Sequence, residues 1–369
     1  MTTLIDQALA LAEQSLRLTS PNPRVGCVIS SSSGQPLGAG HTQRVGSPHA
    51  EIMALRDAAA QGHSVVGATA YVTLEPCSHH GRTDPCCDAL IEAGIKKVVA
   101  SIADPNPLVS GQGFARLRAA GVEVEVGPGA AESRELNIGF FSRMIRRAPW
   151  VRLKVAASLD GKTALDNGAS QWITAEAARA DGHAWRARAC AVLTGIGTVL
   201  EDNPRLDVRL VDTPRQPHLV VVDSRLETPL DAHLFIAGRA LYIYAAVPND
   251  AKKAALEARG ATVIYLPGQT PESSSKVDLA AMLRDLARRE VNELHVEAGF
   301  KLNGSLIREG LVDEFVVYLA PKLIGQGRGM ANFGPLTELA QAVPLTFTST
   351  EMLGPDLRIL ARIPGRDQF

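Results

Sequence analysis

The stretch from Glu75 to Cys87 reads EPCSHHGRTDPCC and holds three of the five cysteines of the chain. It follows an apolar segment at 68–74 that is typical of a strand, and a helix is predicted after Pro85. An odd number of cysteines argues against a disulfide framework, and thiols this close together favour a metal site. The stretch therefore predicts a strand, a loop and a helix that together carry metal ligands.

A histidine upstream completes the set of candidate ligands. His49-Ala50-Glu51 opens a predicted helix. One imidazole with the thiolates of Cys77 and Cys86 makes three zinc ligands, and a catalytic zinc site keeps its fourth tetrahedral position for water. Glu51 is predicted to take the water proton and return it to a leaving amine. Cys87 is the alternative ligand to Cys86.

A structural zinc site is the alternative interpretation, but such a site normally has four protein ligands arranged in pairs. One observation stands against the catalytic interpretation. The common zinc-deaminase signature has two residues between its cysteines, whereas eight separate Cys77 from Cys86.

Strand and helix patterns alternate along the chain and restart after Arg146-Arg147-Ala148-Pro149. This alternation predicts two layered α/β domains, at 1–147 and 148–369. In the first half, helices are expected near 4–18, 48–61, 112–120 and 130–146. The strands of the second half are expected at 151–157, 190–195, 218–223, 240–246, 261–266, 293–298 and 314–320. Its helices are expected near 174–189, 250–259, 278–290 and 301–310.

The charges of the chain are balanced, with 38 basic and 39 acidic residues and a net charge of -1. A nucleic-acid binder usually carries a basic patch, which is not evident here. The N-terminal segment contains Asp6 and Glu13 and lacks the pattern of a signal peptide, and no run approaches the ~20 apolar residues of a membrane span. We therefore expect a cytoplasmic protein that acts on a small molecule, without nucleic-acid or membrane partners.

Three separated motifs resemble one enzyme family. They are PNPRVGCV at 21–28, His49-Ala50-Glu51 and the segment from Cys77 to Cys86. Together they resemble the deaminase half of the bifunctional deaminase-reductases of riboflavin biosynthesis, over about residues 1–145. The resemblance implies a cytidine-deaminase-like three-layer α/β/α domain. It also implies that His49, Cys77 and Cys86 bind zinc, that Glu51 is the proton shuttle, and that Asn22 contacts the pyrimidine. Cys86 is preferred to Cys87 because it follows Pro85, and the pocket is expected to include His79, His80, Arg82 and Thr83.

The second half lacks the usual glycine-rich dinucleotide fingerprint, and Gly195-Ile196-Gly197 is weak evidence by itself. Six ordered motifs over about 150–365 nevertheless resemble the reductase half of the same family, whose fold is like that of dihydrofolate reductase. These motifs lie at 153–162, 170–174, 197–200, 223–225, 296–299 and 320–323.

The resemblance implies two sets of ligand contacts in this half. NADPH is expected at Ala156, Trp172, Thr198, Asp202, Ser224, Gly299, Phe300, Lys301, Leu302, Asn303, Gly304 and Ser305. The phosphoribosyl substrate is expected at Ser170, Arg186, Leu206, Arg209 and Glu297.

Elementary chemistry suits several of these assignments. Arg186 and Arg209 offer planar forks for a phosphate. Gly299 and Gly304, around a predicted helix start, would let backbone N–H groups approach a cofactor phosphate. Lys154 and Asp202 both remain candidates for the proton donor.

The family resemblance implies two successive reactions. The first is zinc-dependent hydrolytic deamination of 2,5-diamino-6-(5-phosphoribosylamino)pyrimidin-4-one. The second is NADPH-dependent reduction of the ribosyl group of 5-amino-6-(5-phosphoribosylamino)uracil to ribityl, in a homodimer joined through the reductase domains. Two alternatives are a nucleic-acid base deaminase, which would need a basic groove, and a non-enzymatic zinc module fused to a nucleotide-binding domain. Ammonia release with bound metal would separate the enzyme from the zinc module.

Overall fold

The computed structural model describes residues 2–78, 84–107 and 109–369. The chain divides into two compact units, Met1–Arg147 and Ala148–Phe369. Within the described residues, none of the helices has the length and apolar character needed to cross a membrane.

The first unit is a five-stranded sheet with helices. Its elements are α1 (Leu4–Glu13), β1 (Gly26–Ser30), β2 (Pro36–His41), α2 (Ala50–Ala60), β3 (Thr69–Val72), α3 (Cys86–Glu92), β4 (Lys97–Ala100), α4 (Gln112–Ala119), β5 (Glu123–Val126), α5 (Ala130–Leu136) and α6 (Ile138–Arg146). The strand order is β2-β1-β3-β4-β5. β1 is antiparallel to β2 and β3, and β3, β4 and β5 are parallel.

Two glycines let helices lie close to this sheet. A Cβ on Gly26 would stand 1.9 Å from the carbonyl oxygen of Ala8 in α1, and one on Gly40 would stand 2.5 Å from Met53 Cβ in α2. Side chains at these positions would push the helices away from the sheet. The close approach of α2 fixes the helix start that carries His49 and Glu51.

The sequence predicted one helix over 130–146, but the structure has two. The chain breaks at Asn137, whose amide accepts from the backbone N–H of Arg24 at 2.7 Å and donates to its carbonyl at 2.9 Å. A side chain that pairs with a distant backbone in this way competes with helix continuation. The first predicted helix is also shorter than expected and ends at Glu13.

The second unit contains a nine-stranded sheet. Its elements are β6 (Trp150–Ser158), β7 (Lys162–Ala164), α7 (Glu176–Arg188), β8 (Ala191–Gly195), α8 (Ile196–Asp202), β9 (His218–Val222), β10 (Leu241–Ala245), α9 (Asp250–Ala258), β11 (Ala261–Tyr265), α10 (Leu279–Arg288), β12 (Glu293–Val296), α11 (Phe300–Arg308), β13 (Glu314–Ala320), β14 (Arg328–Gly329), a 3-10 turn (Leu339–Gln341), β15 (Thr346–Leu353) and β16 (Asp356–Arg362). The strand order is β11-β10-β9-β8-β12-β6-β13-β16-β15. β14 and β7 form a separate two-stranded sheet.

In the order of the sheet, the seven strands β11, β10, β9, β8, β12, β6 and β13 are parallel to one another. Their carboxyl ends therefore lie at one edge of the sheet. Ligands bind at such an edge in open α/β sheets. β16 and β15 are antiparallel additions at the other side of β13. The sequence did not predict these two strands, because β15 is exposed on both faces and lacks the alternation that marks a half-buried strand.

An ionic layer runs through the core of the second unit. Arg152 is 1% exposed, and its guanidinium is paired with Glu293 at 2.9 Å and with Glu314. Arg188 approaches Glu293 at 2.8 Å, and Arg362 approaches Glu314 at 2.8 Å. Glu293 and Glu314 therefore each have two arginine partners. Such pairing offsets the free-energy cost of removing these charges from water.

Candidate functional sites

Three side chains from separate segments meet in the first unit. His49 immediately precedes α2, Cys77 lies after β3, and Cys86 is the first residue of α3. His49 Nδ1 lies 3.3 Å from Cys86 Sγ and 3.6 Å from Cys77 Sγ. Zinc bonds of about 2.0–2.3 Å in tetrahedral geometry separate a nitrogen and a sulfur ligand by about 3.6 Å. The donor set and its spacing therefore fit one zinc ion, and the described residues supply three of its four tetrahedral ligands.

The pKa values of the two thiols in this group are shifted in opposite directions. Cys86 lies at the start of α3, and its backbone N–H donates to Cys77 Sγ at 3.3 Å. The Cys86 thiol, assisted by His49, lowers the pKa of Cys77 to about 4. The Cys77 thiolate and burial in turn raise the pKa of Cys86. Zinc binds thiolates, so binding to this pair releases protons.

Cys87 faces a different environment. Its Sγ donates to the carbonyl oxygens of Pro76 at 3.2 Å and Gly113 at 3.6 Å. Burial raises the pKa of its thiol to about 12. The structure therefore places Cys86, and not Cys87, beside His49.

Glu51 lies in the first turn of α2 and is 4% exposed. Burial raises the pKa of its carboxyl, and the negative charge of Cys77 raises it further. The carboxyl also interacts with the Cys86 thiol, which places it beside the donor group. A buried carboxyl with a raised pKa is suited to accept a proton and give it back.

Glu75 and Asp104 were not singled out from the sequence. The Glu75 carboxylate accepts from the backbone N–H groups of Gly111 and Gly113, each at 2.9 Å, and from that of Asp104 at 3.1 Å. It thereby fixes the loop after β4 against the segment that carries Cys77. Burial raises the pKa of Asp104 to about 7. The turn-forming run Asp104-Pro105-Asn106-Pro107 after a strand was the available signal.

The other predicted residues of this unit are less well defined. Asn22 is half-buried in the loop before β1, where its backbone N–H donates to Thr19 at 2.8 Å. His79, His80, Arg82 and Thr83 lie outside the described residues.

A cavity of 520 Å³ lies in the second unit, beside the carboxyl ends of β6 and β12. Twelve of the residues predicted for the cofactor and the substrate line it. They are Ala156, Ser170, Trp172, Arg186, Thr198, Asp202, Leu206, Arg209, Glu297, Gly299, Phe300 and Asn303. The fold thus brings together segments that are as much as 147 positions apart in the chain, from Ala156 to Asn303.

Five predicted cofactor contacts are not among the described residues that line this cavity. They are Ser224, Lys301, Leu302, Gly304 and Ser305. The carbonyl of Ser224 accepts from Ala246 and Val247, and Lys301 is exposed on α11. Gly304 lies inside α11, in agreement with the helix predicted near 301–310. It lies in the second turn of α11, where a Cβ would stand 1.9 Å from the carbonyl oxygen of Asn332.

A cluster of charges surrounds Glu297 in the cavity. Its carboxylate accepts from Arg186 through Nε and, at 2.8 Å, through Nη2, while Lys154 Nζ lies 3.6 Å away. Burial alone would raise the pKa of Glu297, but Arg186 and Lys154 hold it well below its usual value. The sequence analysis assigned the guanidinium of Arg186 to the phosphate of the substrate. In the structure this guanidinium instead donates to the carboxylate of Glu297.

Arg205 and Arg209, which also line the cavity, flank Asp207. Arg205 Nε lies 2.9 Å and Arg209 Nη1 2.7 Å from the two oxygens of its carboxylate. The two arginine side chains are 58% and 50% exposed. Arg205 was missed because an isolated arginine in a loop gives no sequence signal.

Two family descriptions match the chain. Residues 1–102 match the cytidine and deoxycytidylate deaminase zinc-binding region, and residues 149–359 match the RibD C-terminal domain. These matches confirm the predicted deaminase-like and reductase-like fold classes.

Similar proteins are found over nearly the whole chain. Riboflavin biosynthesis protein RibD of Escherichia coli (strain K12) is 43% identical and aligns with 95% of this chain and 96% of its own. The protein of the same name from Aquifex aeolicus (strain VF5) is 41% identical, with 95% of each chain aligned.

Solved structures agree with the sequence relatives. Acinetobacter baumannii RibD, form 1, has a TM-score of 0.87 at 38% identity, with 97% of each chain covered. A diaminohydroxyphosphoribosylaminopyrimidine deaminase/5-amino-6-(5-phosphoribosylamino)uracil reductase from Thermotoga maritima has a TM-score of 0.85 at 31% identity, covering 98% of this chain and 97% of its own. The chain therefore belongs to the RibD family of riboflavin biosynthesis proteins, bifunctional enzymes with deaminase and reductase activities.

Proposed function

We propose that this chain catalyses two successive reactions on one phosphoribosyl pyrimidine. The first is the hydrolytic deamination of 2,5-diamino-6-(5-phosphoribosylamino)pyrimidin-4-one. The second is the reduction of the ribosyl group of 5-amino-6-(5-phosphoribosylamino)uracil to ribityl. The observation that carries the proposal is the three-donor group of His49, Cys77 and Cys86, with the buried carboxyl of Glu51 beside it. The substrates are those named for the similar enzyme of Thermotoga maritima.

In the deaminase, His49, Cys77 and Cys86 would hold zinc. When bound, zinc is a Lewis acid that makes water a competent nucleophile near neutral pH. Glu51 takes a proton from the attacking water and delivers it to the departing amine, so that ammonia leaves and a carbonyl remains on the ring. Asn22 is proposed to hydrogen-bond the edge of the pyrimidine.

When bound in the reductase cavity, NADPH would supply the hydride that reduces the anomeric carbon of the ribose. The cavity residues proposed to hold it are Ala156, Trp172, Thr198, Asp202, Gly299, Phe300 and Asn303. Gly299 precedes α11, whose first backbone N–H groups are available to a phosphate oxygen.

The substrate is proposed to lie between Glu297 and the arginines of the 205–209 loop. Ser170 and Leu206 would contact it from the cavity wall. Glu297 accepts from ribose hydroxyls, and Lys154, 3.6 Å from that carboxylate, is placed to give a proton to the ring oxygen as the sugar opens. Lys154 is preferred to Asp202 as the donor because its ammonium lies beside Glu297, the carboxylate proposed to bind the ribose. Arg209 is proposed to hold the phosphate, with Arg186 orienting Glu297.

We further propose that the protein is a cytoplasmic homodimer joined through the second unit. β15 ends the nine-stranded sheet, and Phe347 and Met352 on it are 67% and 61% exposed. An edge strand with large apolar side chains is a surface that another chain tends to cover. All five cysteines are free thiols, in keeping with a reducing compartment.

Mass spectrometry of the diamino substrate tests the central proposal. With the zinc-loaded chain alone, we expect one amino group to be replaced by a carbonyl and one ammonia to be released per substrate. Addition of NADPH should then give a product with two more hydrogens and stoichiometric cofactor oxidation. A zinc-loaded chain that releases no ammonia would contradict the deaminase assignment, and an unreduced deaminated product would contradict the reductase assignment.

A further inference from the structure

The loop at 205–209 has an unusual backbone for the residues it contains. Arg205, Leu206 and Arg209 line the cavity, and Leu206 has a φ of 49°. A leucine in this left-handed region is strained, so the conformation persists only where the surroundings hold it. The contacts that hold this loop are therefore part of how the cavity is built.

Side chains from two later segments hold one side of the loop. Arg239 donates to the carbonyl oxygens of Leu206 at 2.7 Å and Arg205 at 2.6 Å. Gln216 accepts from the N–H of Val208 at 2.7 Å and donates to its carbonyl at 2.9 Å. These contacts fix the loop backbone at Arg205, Leu206 and Val208.

Helix α7 holds the loop from the cavity side. Arg186 Nη1 donates to the carbonyl of Asp207 at 3.0 Å, and the backbone N–H of Arg209 donates to His183 Nδ1 at 3.2 Å. His183 is 5% exposed, and its Nε2 lies 3.5 Å from Arg186 Nη1. The imidazole thus stands between the two arginines that the sequence analysis assigned to the substrate.

The ring must be neutral to make the contact with Arg209. Burial, followed by the positive charges of Arg186 and Arg209, lowers the pKa of His183 to about 4. Since Nδ1 accepts, the proton of the neutral ring lies on Nε2. That N–H faces the guanidinium of Arg186, which is also a donor, so in this tautomer the ring hydrogen-bonds the backbone of Arg209 and not Arg186.

We propose that His183 is a positioning residue of the reductase site: it fixes the backbone at Arg209 so that the guanidiniums of Arg205 and Arg209, spread around Asp207, face the phosphate of the substrate. The inference rests on the proposed binding of a phosphoribosyl substrate in this cavity. A dianionic phosphate is recognised by donors in fixed places, and a cation whose backbone is free to shift loses that advantage.

A matched pair of variants tests the role of the acceptor. Asn and Leu have nearly the same shape, but only Asn keeps an acceptor at the position of Nδ1. His183→Leu should raise the KM of the reductase for the phosphorylated pyrimidine by about 5- to 30-fold, as expected for a lost hydrogen bond in a charged site. His183→Asn should recover most of that loss. The KM for NADPH, the KM for the dephosphorylated pyrimidine and the release of ammonia should stay close to the parent values in both variants.

The result that would overturn the inference is an equal change for the phosphorylated and dephosphorylated pyrimidines in His183→Leu, or no difference between Leu and Asn. Either outcome would make His183 a packing residue only. Arg209→Ala separates this from a failure of the proposed function. If Arg209→Ala impairs use of the phosphorylated pyrimidine and His183→Leu does not, the inference alone is wrong. If Arg209→Ala has no phosphate-dependent effect, the phosphate assignment itself is wrong and the inference falls with it.

Discussion

Cys86 and Cys87 are consecutive in the chain, yet their sulfurs have different partners. Cys86 Sγ lies 3.3 Å from His49 Nδ1, whereas Cys87 Sγ donates to the carbonyl oxygen of Pro76 at 3.2 Å. Both lie in the first turn of α3, where successive side chains point in directions about 100° apart. The helix therefore offers only one of the two thiols to the donor group.

This difference predicts opposite results for two serine variants. Cys86→Ser should lose most of the bound zinc, because a hydroxyl is a poor substitute for a thiolate ligand. Cys87→Ser should keep about one zinc per chain, since serine can still donate to the carbonyl of Pro76. Metal content of the purified proteins by elemental analysis is the measurement. The reverse pattern would show that the ligand is Cys87.

Glu51→Gln should separate metal binding from deamination. The amide has the shape of the carboxyl but cannot shuttle a proton, so zinc content should be unchanged while ammonia release falls about 100- to 10,000-fold. Reduction of the deaminated intermediate, which takes place in the second unit, should be unaffected. Near-normal ammonia release by the zinc-loaded variant would refute the proton-shuttle role.

Arg186 and Arg209 should respond differently to truncation, because Arg186 is engaged with Glu297 and half of the Arg209 side chain is exposed. Arg209→Ala should raise the KM for the phosphorylated pyrimidine roughly 10- to 150-fold, the range for a charge-assisted hydrogen bond. Arg209→Lys should recover only part of this, since an ammonium lacks the fork.

Arg186→Ala should instead lower kcat, because Glu297 loses its bidentate partner and its orientation. Steady-state kinetics with phosphorylated and dephosphorylated pyrimidine distinguish the two effects. A purely phosphate-dependent KM effect of Arg186→Ala would restore the role that the sequence suggested for it.

The buried ionic layer predicts a large stability effect far from the cavity. Arg152→Met leaves Glu293 and Glu314 with one partner fewer each, and breaking a buried pair in this way costs about 3–5 kcal/mol. All three tryptophans, at 150, 172 and 185, lie in the second unit, so tryptophan fluorescence during urea unfolding reports on that unit. Arg288→Ala is the matched control: its side chain is 70% exposed beside Asp285, and such surface pairs are worth at most about 1 kcal/mol. Equal effects of the two substitutions would contradict a stabilising role for the buried layer.

The exposed edge strand predicts the effect of charge on association. Phe347→Glu and Met352→Lys place charges on β15 without removing a buried side chain, so each should shift the protein toward a monomer while leaving its unfolding midpoint nearly unchanged. Sedimentation velocity over a range of concentrations gives the oligomeric state. Val66→Lys, at a side chain that is 77% exposed in the first unit, is the control and should leave the oligomeric state unchanged. A monomeric parent protein would rule out the proposed homodimer.

The sequence was most informative where a function depends on residue type at short spacing. His49, Glu51, Cys77 and Cys86 could be singled out because a metal site requires imidazole and thiolate, and because Pro85 marks the start of the helix that carries Cys86. The α/β class of both units was likewise predictable, since buried parallel strands give apolar runs that alternate with helical patterns.

The sequence could not show which distant groups would meet, because pairing across a fold leaves no local pattern. Glu297 and Arg186 are 111 positions apart, and Arg209 meets His183 from 26 positions away. The close approach of Gly304 to the backbone of Asn332 gave no sequence signal for the same reason. Residue chemistry and spacing by themselves determined the donor set of the metal site and the two α/β units. Only the tertiary structure decided that Cys87 turns away, that Arg186 binds Glu297 and that a neutral histidine supports the 205–209 loop, because each depends on packing between segments that the chain order does not bring together.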